Sequence, residues 1–305
     1  MLVIASRGSP LALWQARWVA QQLAALGHDS RIEIIKTTGD KITSVPLNQV
    51  GAQVGTKGLF TKEIEEALLE GRADLAVHSL KDLPTELPAG LTLAAIPERE
   101  DPRDALVGPP GTRLIDLPKN AKVGTSSLRR AAQLRKLRPD FRIEPLRGNV
   151  DTRLRKLDQG HYDAVVLAVA GLNRLGWQDR IAEIVSPDII CPAVGQGALA
   201  IETLGTTPHA ALWEKLDDRL TRAAVTAERA LLATLGGGCQ VPIGALGTVA
   251  DGTLHLRGIV VSPDGLRLVH DSLDGPLTEA AEIGGRLGEV LLAAGADSIL
   301  ESVYG

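Results

Sequence analysis

Aromatic side chains are scarce in this 305-residue sequence, at 3%, which argues against a large base-stacking surface for single-stranded nucleic acid. Its two cysteines, Cys191 and Cys239, are too few for a disulfide framework, and nothing near either has metal-ligand spacing. No apolar run approaches the ~20 residues of a membrane span, and Met1 leads straight into Leu2-Val3-Ile4-Ala5 without a basic leader or cleavage site. A cytoplasmic protein that does not engage a membrane is therefore expected. Net charge is only −4, so the chain has no global basic field of the kind that marks a nucleic-acid binder. Walker and GxGxxG phosphate loops are missing, and so are paired metal-binding acids, which leaves a nucleotide unsupported. What remains is an ordinary globular composition, 44% hydrophobic and 23% charged, long enough for two or three domains.

The chain begins as alternating strand and helix. Leu2 to Arg7 reads as a strand, Ser9-Pro10 as a helix cap with proline at the first helical position, and Ile32 to Thr38 as the next strand. Such alternation predicts a parallel sheet with helices on its faces and ligands beyond the carboxyl ends of its strands. Arg7 there reads equally as an anion ligand or as a solvated arginine. Residues 39 to 58 lack apolar periodicity and are long for a connection, as lids or disordered segments are. A helix is expected over 59–70. Asp74 to Leu80 reads as a buried strand, with His78 as a satisfied core histidine and Asp82 just past the strand's end, where either turn chemistry or catalysis would use it. The proline-punctuated, charged stretch 97–104 reads as a domain crossover or hinge.

Beyond it a second α/β unit is expected. Thr125-Ser126-Ser127 follows a short strand and caps a helix opening Leu128-Arg129-Arg130, and Arg147 and Arg174 again fall just past strands. From Lys122 to Lys156 eleven Lys or Arg face three acidic residues, Asp140, Glu144 and Asp151, an excess of eight positive charges in a chain of net −4. Arg129, Arg130 and Arg147 sit where guanidinium forks would meet carboxylates, whereas Arg135, Lys136 and Arg138 are expected in solvent. Residues 189–202 look like a return crossover with its own strand, and Cys191 within them reads as structural. After helices at 208–217 and 219–235, strands with Asp-Gly turns at 251–252 and 264–265 predict an antiparallel sheet, followed by a helix at 278–294. Cys239 lies in Gly236-Gly237-Gly238-Cys239-Gln240, a loop that would either bury the thiol or present it.

These motifs together resemble the porphobilinogen deaminase family. They are Arg7-Gly8-Ser9-Pro10-Leu11-Ala12-Leu13-Trp14-Gln15, HSLKDLP at 78–84, GTSSLRR at 124–130, LRGNVDTRL at 146–154, LAVAGLNRLG at 167–176, PAVGQGALAIE at 192–202 and the GGGCQVPIG loop. Seven matches in one order span nearly the whole chain. The resemblance implies an enzyme that joins four porphobilinogen units head to tail with loss of ammonia and then releases hydroxymethylbilane, working on a dipyrromethane cofactor attached through Cys239. It implies Asp82 as the catalytic carboxylate and Phe60 as the aromatic against a pyrrole ring. It also implies Arg7, Ser9, Lys57, Lys81, Thr125, Ser126, Ser127, Arg129, Arg130, Arg147, Arg153 and Arg174 as holders of cofactor and substrate carboxylates, with no metal.

The expected architecture is α/β: two periplasmic-binding-protein-like domains forming a clamshell, plus a small C-terminal α+β domain with an antiparallel sheet. Expected boundaries are 1–98 with 192–217, then 99–191, then 218–305. A monomer without nucleic-acid partners is expected. The competing class is a non-catalytic solute receptor, which would share the clamshell but would have no use for Cys239 and a third domain.

Overall fold

The computed structural model describes residues 1–41, 61–237 and 241–304; Lys57, Phe60, Cys239 and most of the 39–58 segment lie outside the described residues. The chain divides into two compact units, Met1–Arg99 with Ala198–Arg222, and Glu100–Gly197 with Ala223–Gly305. The second unit includes both the 99–191 stretch and the C-terminal sheet.

In the first unit, β1 (Leu2–Ser6) leads into α1 (Pro10–Ala25). The Ser9 side chain accepts a hydrogen bond from the Ala12 N–H, and Pro10 supplies a helical φ without an N–H to satisfy. Gln15, Ala16, Val19 and Leu23 recur at helical spacing and form the buried face. β2 (Ser30–Ile34) ends four residues earlier than the apolar pattern suggested, and α2 (Lys62–Leu69) buries Ile64, Ala67 and Leu68. β3 (Leu75–Ser79) and β4 (Leu91–Ala95) follow.

The second unit opens on β5 (Asp104–Val107), fully buried at the end of the segment expected as a hinge. Next come β6 (Lys122–Gly124), α3 (Leu128–Leu137), β7 (Arg142–Glu144), α4 (Val150–Asp158), β8 (Ala164–Ala168), α5 (Val169–Arg174) and β9 (Ile181–Val185). β10 (Leu199–Leu204) then returns to the first unit.

Two five-stranded sheets result, ordered β2-β1-β3-β10-β4 and β7-β6-β8-β5-β9. In each, four strands point the same way and one is reversed: β10 runs antiparallel to β3 and β4, and β5 antiparallel to β8 and β9. The sheets are therefore mixed, where the strand-and-helix alternation by itself predicts a parallel sheet. Local βαβ patterning governs only consecutive strands; β10 and β5 are supplied from across a unit boundary in the chain, and their direction is free of the crossover rule.

α6 (Arg219–Thr234) is followed by the antiparallel sheet of β11 (Ile243–Ala250), β12 (Thr253–Val261) and β13 (Leu268–Pro276), covered by α7 (Ala280–Leu291). Ala227 and Leu231 of α6 pack with Leu254, Leu256, Val260, Ile283 and Leu287 in this core. Asp251 and Gly252 both have positive φ, 50° and 75°, and Ala250 pairs with Thr253, so the first Asp-Gly pair makes the expected two-residue hairpin. The second lies in a six-residue connection, 262–267, closed by the Ser262 N–H to the Arg267 carbonyl at 2.9 Å.

Candidate functional site

In the first unit the strand order places β1 beside β3 with the chain proceeding to opposite sides, the kind of switch point at which α/β sheets bind ligands. Arg7, Gly8 and Ser9 leave the carboxyl end of β1, and Lys81 and Asp82 leave that of β3. The two segments are tied together, because Gln15 of α1 donates to the Ser79 hydroxyl at 2.8 Å. Asp82 closes a 3-10 turn, Leu80–Asp82, whose flanking leucines are anchors: Leu80 and Leu83 are buried, and the Leu80 N–H reaches the Ala198 carbonyl at 3.0 Å. The exposed Asp82 carboxylate thus stands on a turn that packing holds still. Among the described residues its side chain makes no hydrogen bond or ion pair. His78 is buried with Nε2 3.0 Å from Glu202 Oε2, a satisfied core histidine as expected. Glu65 is buried nearby, and burial pushes its carboxyl above the ordinary range, with the Thr61 hydroxyl opposing and the Glu202 charge reinforcing the rise.

The second unit repeats the arrangement at β6 and β8. Thr125, Ser126 and Ser127 leave β6; the Thr125 N–H bonds the Glu144 carbonyl, the Ser126 hydroxyl bonds the Leu146 carbonyl at 3.0 Å, and Ser127 caps α3 by accepting from the Arg130 N–H. Arg174 ends α5, which follows β8 directly. Arg147 and Arg153 lie after β7, where Arg153 Nε donates to the Gly148 carbonyl at 2.8 Å. Every described residue expected at the site except Arg153, on α4, therefore falls on a turn or helix start directly beyond a parallel strand, or on the short helix that begins there.

Arg129 and Arg130 differ from the expectation in one respect. Both are buried, and both guanidiniums lie on Asp104, the fully buried first residue of β5. Arg130 donates Nε and Nη2 to Asp104 Oδ1 at 3.1 and 2.6 Å and Nη1 to the Val166 carbonyl at 3.0 Å. Gln196 adds a third donor to the same oxygen at 2.9 Å. Arg129 Nη1 lies 2.8 Å from Asp104 Oδ2 but is aligned on the Cys191 carbonyl, leaving Arg129 Nε buried with no hydrogen-bond partner among the described residues. Burial opposes ionisation of Asp104, yet the two guanidiniums hold it far below the usual carboxylate range. Burial also lowers Arg129, and lowers Arg174 to about 10. Arg174 is held by the Gly197 carbonyl at 2.6 Å.

Asp104 and Gln196 were not legible as site residues. Asp104 sits in a charged stretch that reads as a hinge; the signal available was the unbalanced arginine pair, which demands a buried counter-charge somewhere. Two expectations for the basic stretch are corrected. Arg135 donates to the Pro263 carbonyl at 2.7 Å, and Arg138 pairs with Asp140, bonds the Ile115 and Leu117 carbonyls and lies over the Phe141 ring, so only Lys136 is left to solvent. Cys191 is structural as expected: it packs with Ala132, Ile259 and Val261, and burial pushes its thiol up to about 12. Its N–H donates to Gln133 Oε1 at 2.7 Å. No group of metal-ligating side chains occurs among the described residues, and no described helix is long and apolar enough to cross a membrane.

Comparison with known proteins covers nearly the whole chain. Residues 2–210 match the family model described as porphobilinogen deaminase, dipyromethane cofactor binding domain, and residues 222–293 match porphobilinogen deaminase, C-terminal domain. The chain is 52% identical to a porphobilinogen deaminase of Geobacter metallireducens, covering 99% of this chain and 95% of that one. It is also 52% identical to one of Syntrophobacter fumaroxidans, covering 99% and 97%. Among solved structures it is similar to an ABC transporter periplasmic substrate-binding protein from Coxiella burnetii, at 15% identity and a TM-score of 0.45 over 71% of this chain and 91% of that one.

Proposed function

The chain belongs to the porphobilinogen deaminase family, and from that premise we propose how its residues divide the work. The enzyme is a transferase of tetrapyrrole synthesis that joins porphobilinogen units head to tail with release of ammonia, and its cofactor is a dipyrromethane. When bound, that cofactor supplies the free pyrrole position to which the first substrate is joined.

Asp82 is the catalytic carboxylate. Its turn is rigid, its charge is unspent among the described residues, and it stands at a switch point. A carboxylate in that position holds the leaving aminomethyl nitrogen in protonated form, faces the cationic carbon left when ammonia departs, and takes up the proton lost from the newly joined ring. One group serves all three steps because the charge it faces stays positive throughout. Arg7, Ser9 and Lys81 on this unit, and Thr125, Ser126, Ser127, Arg129, Arg130, Arg147, Arg153 and Arg174 on the other, hold carboxylates. Each porphobilinogen unit carries two, an acetate and a propionate. Orphaned Arg129 Nε is the observation that fits this role: a buried donor with no acceptor in the described protein is a place for one from outside. Cys239 carries the cofactor, Lys57 adds a cation and Phe60 packs on a ring; these three lie outside the described residues. A monomer in the cytoplasm, built of three domains, is the form proposed.

The observation that carries this reading is the placement of Asp82, on an anchored turn at the carboxyl end of β3. Its test begins with the cofactor. Intact mass of the purified chain should exceed the sequence mass by two pyrrole units, and Cys239→Ala should remove the excess; an active chain of unmodified mass would sink the covalent attachment.

A further inference from the structure

We infer that Tyr162 is a positioning residue for Arg147: its hydroxyl fixes the turn that carries this arginine, so that the guanidinium meets an incoming carboxylate already aimed. The inference rests on the reading of Arg147 as a carboxylate holder and goes beyond it by assigning the residue that sets its geometry. The turn 145–148 joins β7 to α4, and a side chain caps each of its four carbonyls in succession. The Tyr162 hydroxyl donates to the Pro145 carbonyl at 2.7 Å. Ser126 brackets Leu146, its hydroxyl donating to the Leu146 carbonyl and accepting from the Leu146 N–H, both at 3.0 Å. Lys156 Nζ donates to the Arg147 carbonyl at 3.2 Å, and Arg153 Nε to the Gly148 carbonyl at 2.8 Å. Gly148 has φ +109°, and a Cβ there would stand 2.7 Å from Thr152 Cγ2, so the turn leaves room only for glycine. Tyr162 is itself anchored, since its ring lies against Gly124 at the end of β6, where a Cβ would stand 2.9 Å from the ring's Cδ1. Burial, with the Glu144 charge, raises the Tyr162 hydroxyl above its ordinary range, so at neutral pH it stays a donor. Two features separate this turn from ordinary satisfaction of buried groups. The bonds to Pro145 and Gly148 lie at the surface, where water would serve either carbonyl, so their effect is to fix position. Carbonyl oxygens also repel a carboxylate, and here all four are engaged by donors, two of them cationic. A turn fixed in this way favours an anion and lowers the ordering cost of binding one.

The experiment uses the full chain, its cofactor adduct verified by intact mass, as wild type, Tyr162→Phe, Arg147→Leu and the double variant. Tyr162→Phe keeps the ring on Gly124 and removes only the hydroxyl. It should retain the adduct, melt about 1–6 °C below wild type and lower kcat/KM for porphobilinogen about fivefold, the equivalent of one typical hydrogen bond. Losses at independent sites multiply, whereas a residue that acts through Arg147 has nothing left to position once Arg147 is gone. The double variant should therefore lose less than about twofold beyond Arg147→Leu alone. A purely structural tyrosine would cost the same factor in both backgrounds. Absence of the adduct from Tyr162→Phe, a loss in it of under about twofold, or a further loss of about twofold or more in the double variant overturns the positioning role. Should Arg147→Leu take up no cofactor, or turn over too slowly to measure, Arg147→Lys replaces it; lysine is a point charge without a fork to aim, and the same outcomes decide. An Arg147→Leu chain as active as wild type overturns the carboxylate-holding reading, and this inference with it. An impaired Arg147→Leu that still shows the full Tyr162→Phe effect overturns only the role of Tyr162.

Discussion

Gly197→Ala offers the sharpest test of how the second unit holds its arginines. Gly197 has φ +88°, and a Cβ there would stand 2.2 Å from the Glu100 carbonyl oxygen and 3.2 Å from Pro102 Cα. An alanine in the left-handed region costs about 1–2 kcal/mol for its backbone alone. Forcing the Glu100–Pro102 backbone aside adds about 1–3 kcal/mol, as overpacking does elsewhere. At ~2–4 °C per kcal/mol for a body of this size, the melting temperature should fall by about 4–20 °C. The right control is Gly160→Ala, where φ is +74° and a Cβ would meet nothing within 4 Å, so only the backbone cost applies and the fall should be about 2–8 °C. Both variants are followed by circular dichroism on heating, alongside initial rates. Gly197→Ala should also slow the reaction more than Gly160→Ala, because the strained residue is itself the one whose carbonyl holds Arg174 at 2.6 Å. Equal melting temperatures in the two variants would refute the steric argument, and equal rates would detach this turn from the site.

Two further predictions concern the first unit. Asp82→Asn should keep the cofactor adduct, since its turn is anchored by Leu80 and Leu83, yet lose turnover by roughly 10²–10⁴-fold as a removed acid–base group does; near-normal single-turnover rates would remove Asp82 from the chemistry. Glu65 is raised above its ordinary 4.5 chiefly by burial. The folded chain therefore keeps a proton that the unfolded chain releases as pH rises through the window from 4.5 upward to the raised value, and Glu65 contributes less stability with rising pH across it. Glu65→Gln should flatten that part of the stability profile and be at least as stable as wild type at pH 7.5 in urea denaturation, and an unchanged slope would contradict the assignment.

Much of the fold was readable because its signals are local. Ser9-Pro10 starts α1 through a side-chain cap and a proline φ, Asp251-Gly252 closes a hairpin through two left-handed residues, and Gly236, at φ +64°, stops α6 where the apolar period ends. The placement of Arg7, Asp82 and Thr125 just past strands was legible for a related reason, since each directly follows a readable strand, and it is there that α/β units bind ligands. Four-residue β5 and the nearly pattern-free β9 were not legible, since each gains its place by pairing with strands distant in sequence, and neither carries a period long enough to read.

The sequence by itself determined the strand-and-helix order, the Asp-Gly hairpin, the membership of Asp82 and the arginines in strand-end turns, and the family, because all of these rest on neighbouring residues or on motifs in fixed order. Only the tertiary structure decided that both five-stranded sheets are mixed, that Arg135 and Arg138 are tied to carbonyls, and that Arg129 and Arg130 stand on a buried carboxylate more than twenty residues away. The physical reason is that an arginine has the same sequence signature whether it faces water or a carboxylate. Its partner is chosen by burial, where a charge removed from water must find an opposite one, and that choice is made between segments which the chain keeps apart and the fold brings together.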